Sequence, residues 1–305
     1  MNNEIEKIAS KVLGKTTDGS TMMRYETPDE IDPSLLVPIP RFLNRVDYDL
    51  MGNEFVGFDT WNAYEFSCLT ANGFPVTGLM KIVYNCDSAN IVESKSIKLY
   101  LNSFNMVSLG DTIDEVITNA INTVSKDLSE ALKTDVEVDL HQGDVDWTRP
   151  ILRDFVQLED EVAVEKIKFD EYEESPAILQ ESINKGPIAY RSYSLRSNCR
   201  VTNQPDWGDI YIYMNGCEFN VSAGSLLKYI VSMRKENHFH EEICECVYKR
   251  LLDKFEPDEL FVACLYTRRG GIDINPVRAN NKTLLDRFAS NLGDVQVPCS
   301  KTLRQ

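Results

Sequence analysis

Thr112-Ile113-Asp114-Glu115-Val116-Ile117-Thr118-Asn119-Ala120-Ile121-Asn122-Thr123-Val124-Ser125-Lys126-Asp127-Leu128-Ser129-Glu130-Ala131-Leu132 places Ile113, Val116, Ile117, Ala120, Ile121, Val124, Leu128 and Leu132 on one side of a 3.6-residue period. That spacing predicts an amphipathic helix with its apolar stripe against a core. Thr112 and Glu115 have the spacing of a capping box, in which a hydroxyl and a carboxylate satisfy backbone N–H groups of the first turn. Immediately after it Val136, Val138 and Leu140 alternate with Glu137 and Asp139, the period of a half-exposed strand. Upstream, Phe74 to Cys86 is apolar and β-branched and reads as a strand, and Ser94 to Phe104 as a short helix.

The second half repeats this order. Strands are expected over Ala189 to Val201 and Ile210 to Met214, then helices over Ser225–Lys235 and Phe239–Phe255. Phe239, Ile243, Val247 and Leu251 form one stripe of the last of these. Leu260 to Tyr266 is apolar on both alternations, as a central strand buried on both faces would be. The pattern predicts an α+β fold built from a duplicated unit, with antiparallel sheet and helices on one face. Three regions follow: an arm with turn signals over 1–50 and a first module to residue 140, an acidic connecting segment over 141–185 with a strand near Val162 to Phe169, and a second module over 186–305.

The 305 residues carry 32 Lys and Arg against 48 Asp and Glu, a net charge of −16. Such a surface repels phosphate backbones, so nucleic acid is not the expected partner. Met1 to Gly14 is charged and has no long apolar run, so no signal peptide is expected, and no stretch approaches the roughly 18 apolar residues of a membrane span. The eight cysteines contain no C-x-x-C pair, which fits free thiols in a reducing cytoplasm.

The chemistry gathers in a few short runs. In Ser197-Asn198-Cys199-Arg200-Val201-Thr202-Asn203-Gln204-Pro205-Asp206-Trp207-Gly208, a thiol and a carboxyl stand seven residues apart across a strand and a turn. A thiolate adds readily to electron-poor carbon such as a nitrile, and a carboxyl shielded by Trp207 would have a raised pKa and a proton to give. Each residue alone also has an ordinary reading, Cys199 as a small buried hydrophobe and Asp206 as a turn former. His238-Phe239-His240-Glu241 opens a helix and contains two of the chain's three histidines. His240 and Cys244 at i, i+4 could share a zinc ion, but further ligands on that face are lacking, so a substrate-contacting His-Glu pair is the better reading and no metal is expected. Glu93-Ser94-Lys95-Ser96 offers a carboxylate for a ligand's donor edge and a lysine for phosphate; as plain structure it is a helix start with a Ser cap. Thr267-Arg268-Arg269-Gly270-Gly271 follows the buried strand and suits phosphate, although no G-x-G-x-x-G or P-loop is present.

With these runs in place, the chain resembles the NADPH-dependent 7-cyano-7-deazaguanine reductases in their long, two-module form. The resemblance rests on Val92-Glu93-Ser94-Lys95-Ser96-Ile97-Lys98-Leu99-Tyr100-Leu101-Asn102-Ser103-Phe104-Asn105, Leu195 through Gly208, Phe239-His240-Glu241, and Tyr266 through Pro276, with Asp59 to Leu69 in support. The acidic stretch 141–185 matches nothing securely, and Met214 to Val221 differs in length. The resemblance implies tandem tunnelling-fold (T-fold) modules, a homodimer, and a small deazaguanine substrate. It implies Cys199 as nucleophile and Asp206 as proton donor, Val92, Glu93, Ser94, His240 and Glu241 at the base, and Ser94, Lys95, Arg269 and Gly270 at NADPH. Three other activities compete: an amidinotransferase of the same superfamily, a Cys-His hydrolase, and a binding protein without catalysis. Lys95, Arg269-Gly270 and the acidic surface favour the reductase over the first, NADPH consumption separates it from the second, and Cys199 with Asp206 argues against the third.

Overall fold

The computed structural model describes residues 28–50, 54–143, 152–298 and 301–305. In the first half the strands are β1 (Pro38–Pro40), β2 (Val56–Leu69), β3 (Pro75–Asn85), β4 (Asn90–Val92) and β5 (Val136–His141). Among the described residues of the connecting region the strands are the two-residue β6 (Val156–Gln157) and β7 (Glu181–Ser182). The second half contains β8 (Ile188–Ser192), β9 (Arg196–Cys199), β10 (Pro205–Asn215), β11 (Asn220–Val221), β12 (Asn237–His238), β13 (Glu259–Tyr266) and β14 (Ile272–Ala279). Helices are α1 (Phe42–Arg45), α2 (Ser94–Asn102), α3 (Ile113–Leu132), α4 (Ala223–Ser232), α5 (His240–Phe255), α6 (Lys282–Phe288) and α7 (Ser290–Gly293).

One sheet runs through both halves in the order β12-β9-β10-β13-β14-β2-β3-β5. It is antiparallel except where the short β12 pairs with β9 and β6 with β8. The seam between halves is β14 on β2, an unbroken register from Ile272↔Ala63 to Ala279↔Val56. Gly57 sits in that seam because a Cβ there would lie 2.0 Å from the Val277 carbonyl oxygen. Among the described residues no helix is long and apolar enough to cross a membrane.

The alternation of each strand assigns the faces. Trp61, Met80, Ile82, Val138 and Ile274 point to α2 and α3, and Ile210, Ile212, Leu260 and Val262 point to α4 and α5. The expected stripe of α3 holds from its second turn: Val116, Ala120, Val124, Leu128 and Leu132 are fully buried, each large side chain contributing about 1.5–3 kcal/mol, Ile117 and Ile121 are half-buried at its edge, and Ile113, in the first turn, is exposed. Its cap is half the expected box. Thr112 accepts from Glu115 N at 3.2 Å, but the Glu115 carboxylate turns one residue further back, to Asp111 N. Helices are not confined to one face. The short α6 and α7 cover the other, over Phe261, Ala263, Val277 and Ala279.

Two strand expectations fail locally. Val162 to Phe169 forms a 3-10 turn at Val164–Lys166 and no strand. Ala189 to Val201 is broken between β8 and β9, because the Ser192 and Ser194 hydroxyls both donate to Glu159, at 2.5 and 2.6 Å, and pull the chain out of line. The described part of the arm, 28–50, lies over the core: Ile39 and Leu43 are buried and Arg41 donates to Asp59. Arg41 thereby joins a buried ion cluster, in which Arg278 bridges Asp59 at 2.8 Å and Glu245 at 2.7 Å, and Arg45 meets Glu245 at 2.7 Å. Asp59 stands on β2 and Glu245 on α5, so the cluster ties the halves together beneath the site.

Candidate active site

A cavity of about 340 Å³ opens at the seam, lined from the first half by Trp61, Val92, Ser94, Lys95 and Lys98, and from the second by Cys199, Gln204, Asp206, His238, Phe239, His240, Glu241, Arg269, Gly270, Ile272 and Ile274. Nine of the ten residues singled out in the sequence therefore share one hollow. The tenth, Glu93, stands behind its wall, fully buried, and its carboxylate accepts from Lys95 N at 2.9 Å and Ser96 N at 2.8 Å. It is the cap of α2, in place of the serine expected there, and burial raises its carboxyl.

The separation of Cys199 and Asp206 closes as a hairpin. Cys199 N donates to Gln204 O at 2.8 Å and Asn203 N to Cys199 O at 2.9 Å, with Asn203 in the left-handed region at φ 55°. Asn tolerates that conformation at little cost. Asp206 then pairs with Ser197 across the ladder, on the same side as Cys199. Neither flanking arginine attends the thiol: Arg200 donates to Glu242 at 2.9 Å, and Arg196 to the Arg234 carbonyl. The nearest cation is Lys95 of α2, whose Nζ lies 3.9 Å from Sγ.

Asp206 does not have the raised pKa that Trp207 was expected to give it. Strand alternation turns Trp207 away, 39% exposed, under the guanidinium groups of Arg196 and Arg234. Burial pushes the Asp206 carboxyl up, but His240 Nε2 at 3.4 Å and the Arg269 guanidinium outweigh it and hold the carboxyl below its ordinary range. Arg269 is fixed by Gln204 as well. His240 lies flat on Tyr266, with centroids 3.8 Å apart and an interplanar angle of 7°, and its Nδ1 is buried without a partner. Cys244, the other half of the conceivable zinc pair, turns instead to the carbonyls of Val262 and Pro276. Among the described residues no group of His, Cys, Asp and Glu is arranged to hold a metal.

Glu241 is 3% exposed, its Oε1 has no partner, and burial and the neighbouring Asp59 push its carboxyl up to about 8. A buried acceptor left unmatched is costly unless a ligand donates to it. At the mouth, Gly270 has φ +58°, and a Cβ there would lie 2.9 Å from Lys98 Nζ. Lys95, Lys98 and Arg269 thus surround a backbone kept bare for close approach. Arg268 leaves this group, with its guanidinium over Tyr64. Sequence reasoning gave no role to Lys98, Gln204 or Trp61. Lys98 was findable, since it follows Lys95 by three residues on one helix face; Trp61 carried no signal beyond its place in Asp59 to Leu69.

Two family models match the chain, one described as nitrile reductase, 7-cyano-7-deazaguanine-reductase N-term over residues 27–140, the other as QueF-like protein over 205–284. The protein of Hahella chejuensis (strain KCTC 2396) named NADPH-dependent 7-cyano-7-deazaguanine reductase is 41% identical over 281 residues, covering 90% of this chain and 95% of that protein. Its namesake in Legionella pneumophila (strain Lens) is 36% identical over 290 residues, covering 94% and 97%. Among solved structures, the apo archaeosine synthase QueF-Like aligns with TM-score 0.28 and 15% identity over 30% of this chain and 89% of that one. Identity of this level along nearly the whole length leaves one conclusion: the chain belongs to the 7-cyano-7-deazaguanine reductase family.

Proposed function

We propose that this chain reduces the nitrile of 7-cyano-7-deazaguanine to the aminomethyl group with NADPH, through a covalent thioimide on Cys199 with Asp206 as proton donor. The observation that supports it most is the meeting in one cavity of a thiol, an ionised carboxyl hydrogen-bonded to histidine, a buried free carboxyl acceptor, and three cations. Cys199 sulfur bonds to the nitrile carbon as the C≡N triple bond becomes C=N. Asp206, ionised beside Arg269 and His240, takes the proton that leaves sulfur and delivers it to the nitrogen. His240, held flat by Tyr266, keeps that carboxyl oriented.

The base is read by Glu241, whose two oxygens can accept from adjacent N–H and amino donors. Phe239 and Trp61 supply apolar wall, and Val92 and Ser94 close the opposite side. Lys95, Lys98, Arg269 and the bare backbone at Gly270 fit the phosphates of a dinucleotide. NADPH, when bound there, supplies the two hydrides that the conversion of nitrile to amine requires. The arm, the first module to residue 140, the connecting segment 141–185 and the module from 186 are taken as a tandem T-fold that associates as a cytoplasmic homodimer.

The decisive assay mixes protein, 7-cyano-7-deazaguanine and NADPH and follows loss of the nicotinamide band, with NADH alongside. Two NADPH are expected to disappear per nitrile. Cys199→Ala is expected to bind the base but form no thioimide absorbance and turn nothing over. Full NADPH oxidation by that variant would refute the covalent route.

A further inference from the structure

We infer that Lys95 is a catalytic residue in its own right, the counter-cation of the Cys199 thiolate before any cofactor arrives. A thiol needs a positive neighbour or a base to ionise near neutral pH. The other basic groups around Cys199 are committed: Arg200 to Glu242 and Asn44, Arg269 to Asp206 and Gln204, Lys98 to Glu65, and His240 to Asp206. The α2 N-terminus is committed too, since Glu93 takes the backbone N–H groups of Lys95 and Ser96. The Lys95 ammonium is left, half-buried at the second position of α2, with Sγ at 3.9 Å. Its partner stands in the other half of the chain, on β9, so the pair forms only when the seam does.

The role rests on the reductase reading in one respect. The proton that leaves Sγ passes to Asp206, which gives it to the nitrile nitrogen as sulfur bonds to the carbon; sulfur thereby loses its negative charge, and the ammonium is released to the cofactor's phosphates. One lysine then serves two anions in succession, and adduct formation strengthens cofactor binding. Linkage requires the reverse as well, so bound cofactor favours the adduct over the free thiolate.

The test needs neither nitrile nor cofactor. The full chain is alkylated with iodoacetamide, and modification of the peptide bearing Cys199 is followed by mass spectrometry, with Cys199→Ala identifying the signal. At about pH 7, Lys95→Met is expected to react about tenfold more slowly than the unaltered chain, and the gap to close by about pH 10, where thiols ionise unaided. Lys95→Arg, which keeps the charge, is expected to stay within about threefold. An unchanged rate in Lys95→Met, an equal loss in Lys95→Arg, or a loss persisting at high pH overturns the inference. Alkylation as expected in a chain that oxidises no NADPH would leave this pairing standing and remove the reductase.

Discussion

Glu241→Gln, made in a Cys199→Ala background so that only reversible binding is read, isolates the recognition of the base. Two carboxylates compete for that task. Glu93 gives Oε2 to two N–H groups at the N-terminus of α2 and Oε1 to the Ser94 hydroxyl at 3.5 Å, whereas Glu241 keeps one oxygen buried and unmatched. Its pKa near 8 makes recognition depend on pH, because a carboxylate that accepts two donors must first lose its proton. At about pH 6 only ~1% of such a group is ionised, and at pH 8 about half. The dissociation constant for 7-cyano-7-deazaguanine should therefore fall about fiftyfold between these values, with close to one proton released per molecule bound at the lower pH. Titration calorimetry in buffers of different ionisation enthalpy measures both quantities. Glu241→Gln should bind weakly and lose the slope. His238, lowered by burial but raised more by Glu236 and Glu242 to about 9, also titrates nearby, and it is common to both proteins. A dissociation constant flat from about pH 6 to 8, or the same slope in Glu241→Gln, would refute this assignment.

Three further outcomes follow from the same geometry. Asp206→Asn should form the thioimide about a hundredfold more slowly in a stopped-flow experiment without cofactor, the lower range for losing a positioned acid; an unchanged rate would remove Asp206 from the proton path. Asp59→Ala should cost about 3–5 kcal/mol in urea unfolding because it leaves the buried Arg41 and Arg278, together with Arg45, to share Glu245 alone, whereas Lys126→Ala, from an exposed pair at 4.0 Å, should cost less than about 1. Leu128→Ala, fully buried in the α3 stripe, should cost about 2–5 kcal/mol by the same measurement, and a loss under about 1 would show that the stripe packs loosely.

Periodicity made legible what is regular and apolar. The bounds of α3, the alternation in β5 and the central place of β13 follow from side chains whose burial is their only task. The long β2 and β14 were harder, because Asp59, Asp273, Asn275 and Arg278 are buried in them and break any hydrophobic pattern. These residues are tolerable inside only because they meet each other or partners from distant segments, as Asn62 and Tyr64 meet Asp273. Such pairings lie some two hundred residues apart and leave no local trace. The site divides in the same way. Cys199, Asp206, His240 and Lys95 could be named from their chemistry. Which cation attends which anion could not, since Lys95 and Arg269 reach the thiol and the carboxyl from other segments. Trp207 misled because a neighbour in sequence is an opposite in a strand.

The hydrogen-bonded seam of β14 on β2 has a consequence for how activity is lost. Cys199 and Lys95, the proposed nucleophile and its counter-cation, come from opposite sides of it, so a separation of the two edges is expected to part them before the rest of the chain unfolds. Heat inactivation should run ahead of loss of helical signal, and agents that wedge sheet edges apart should inhibit without touching the cavity.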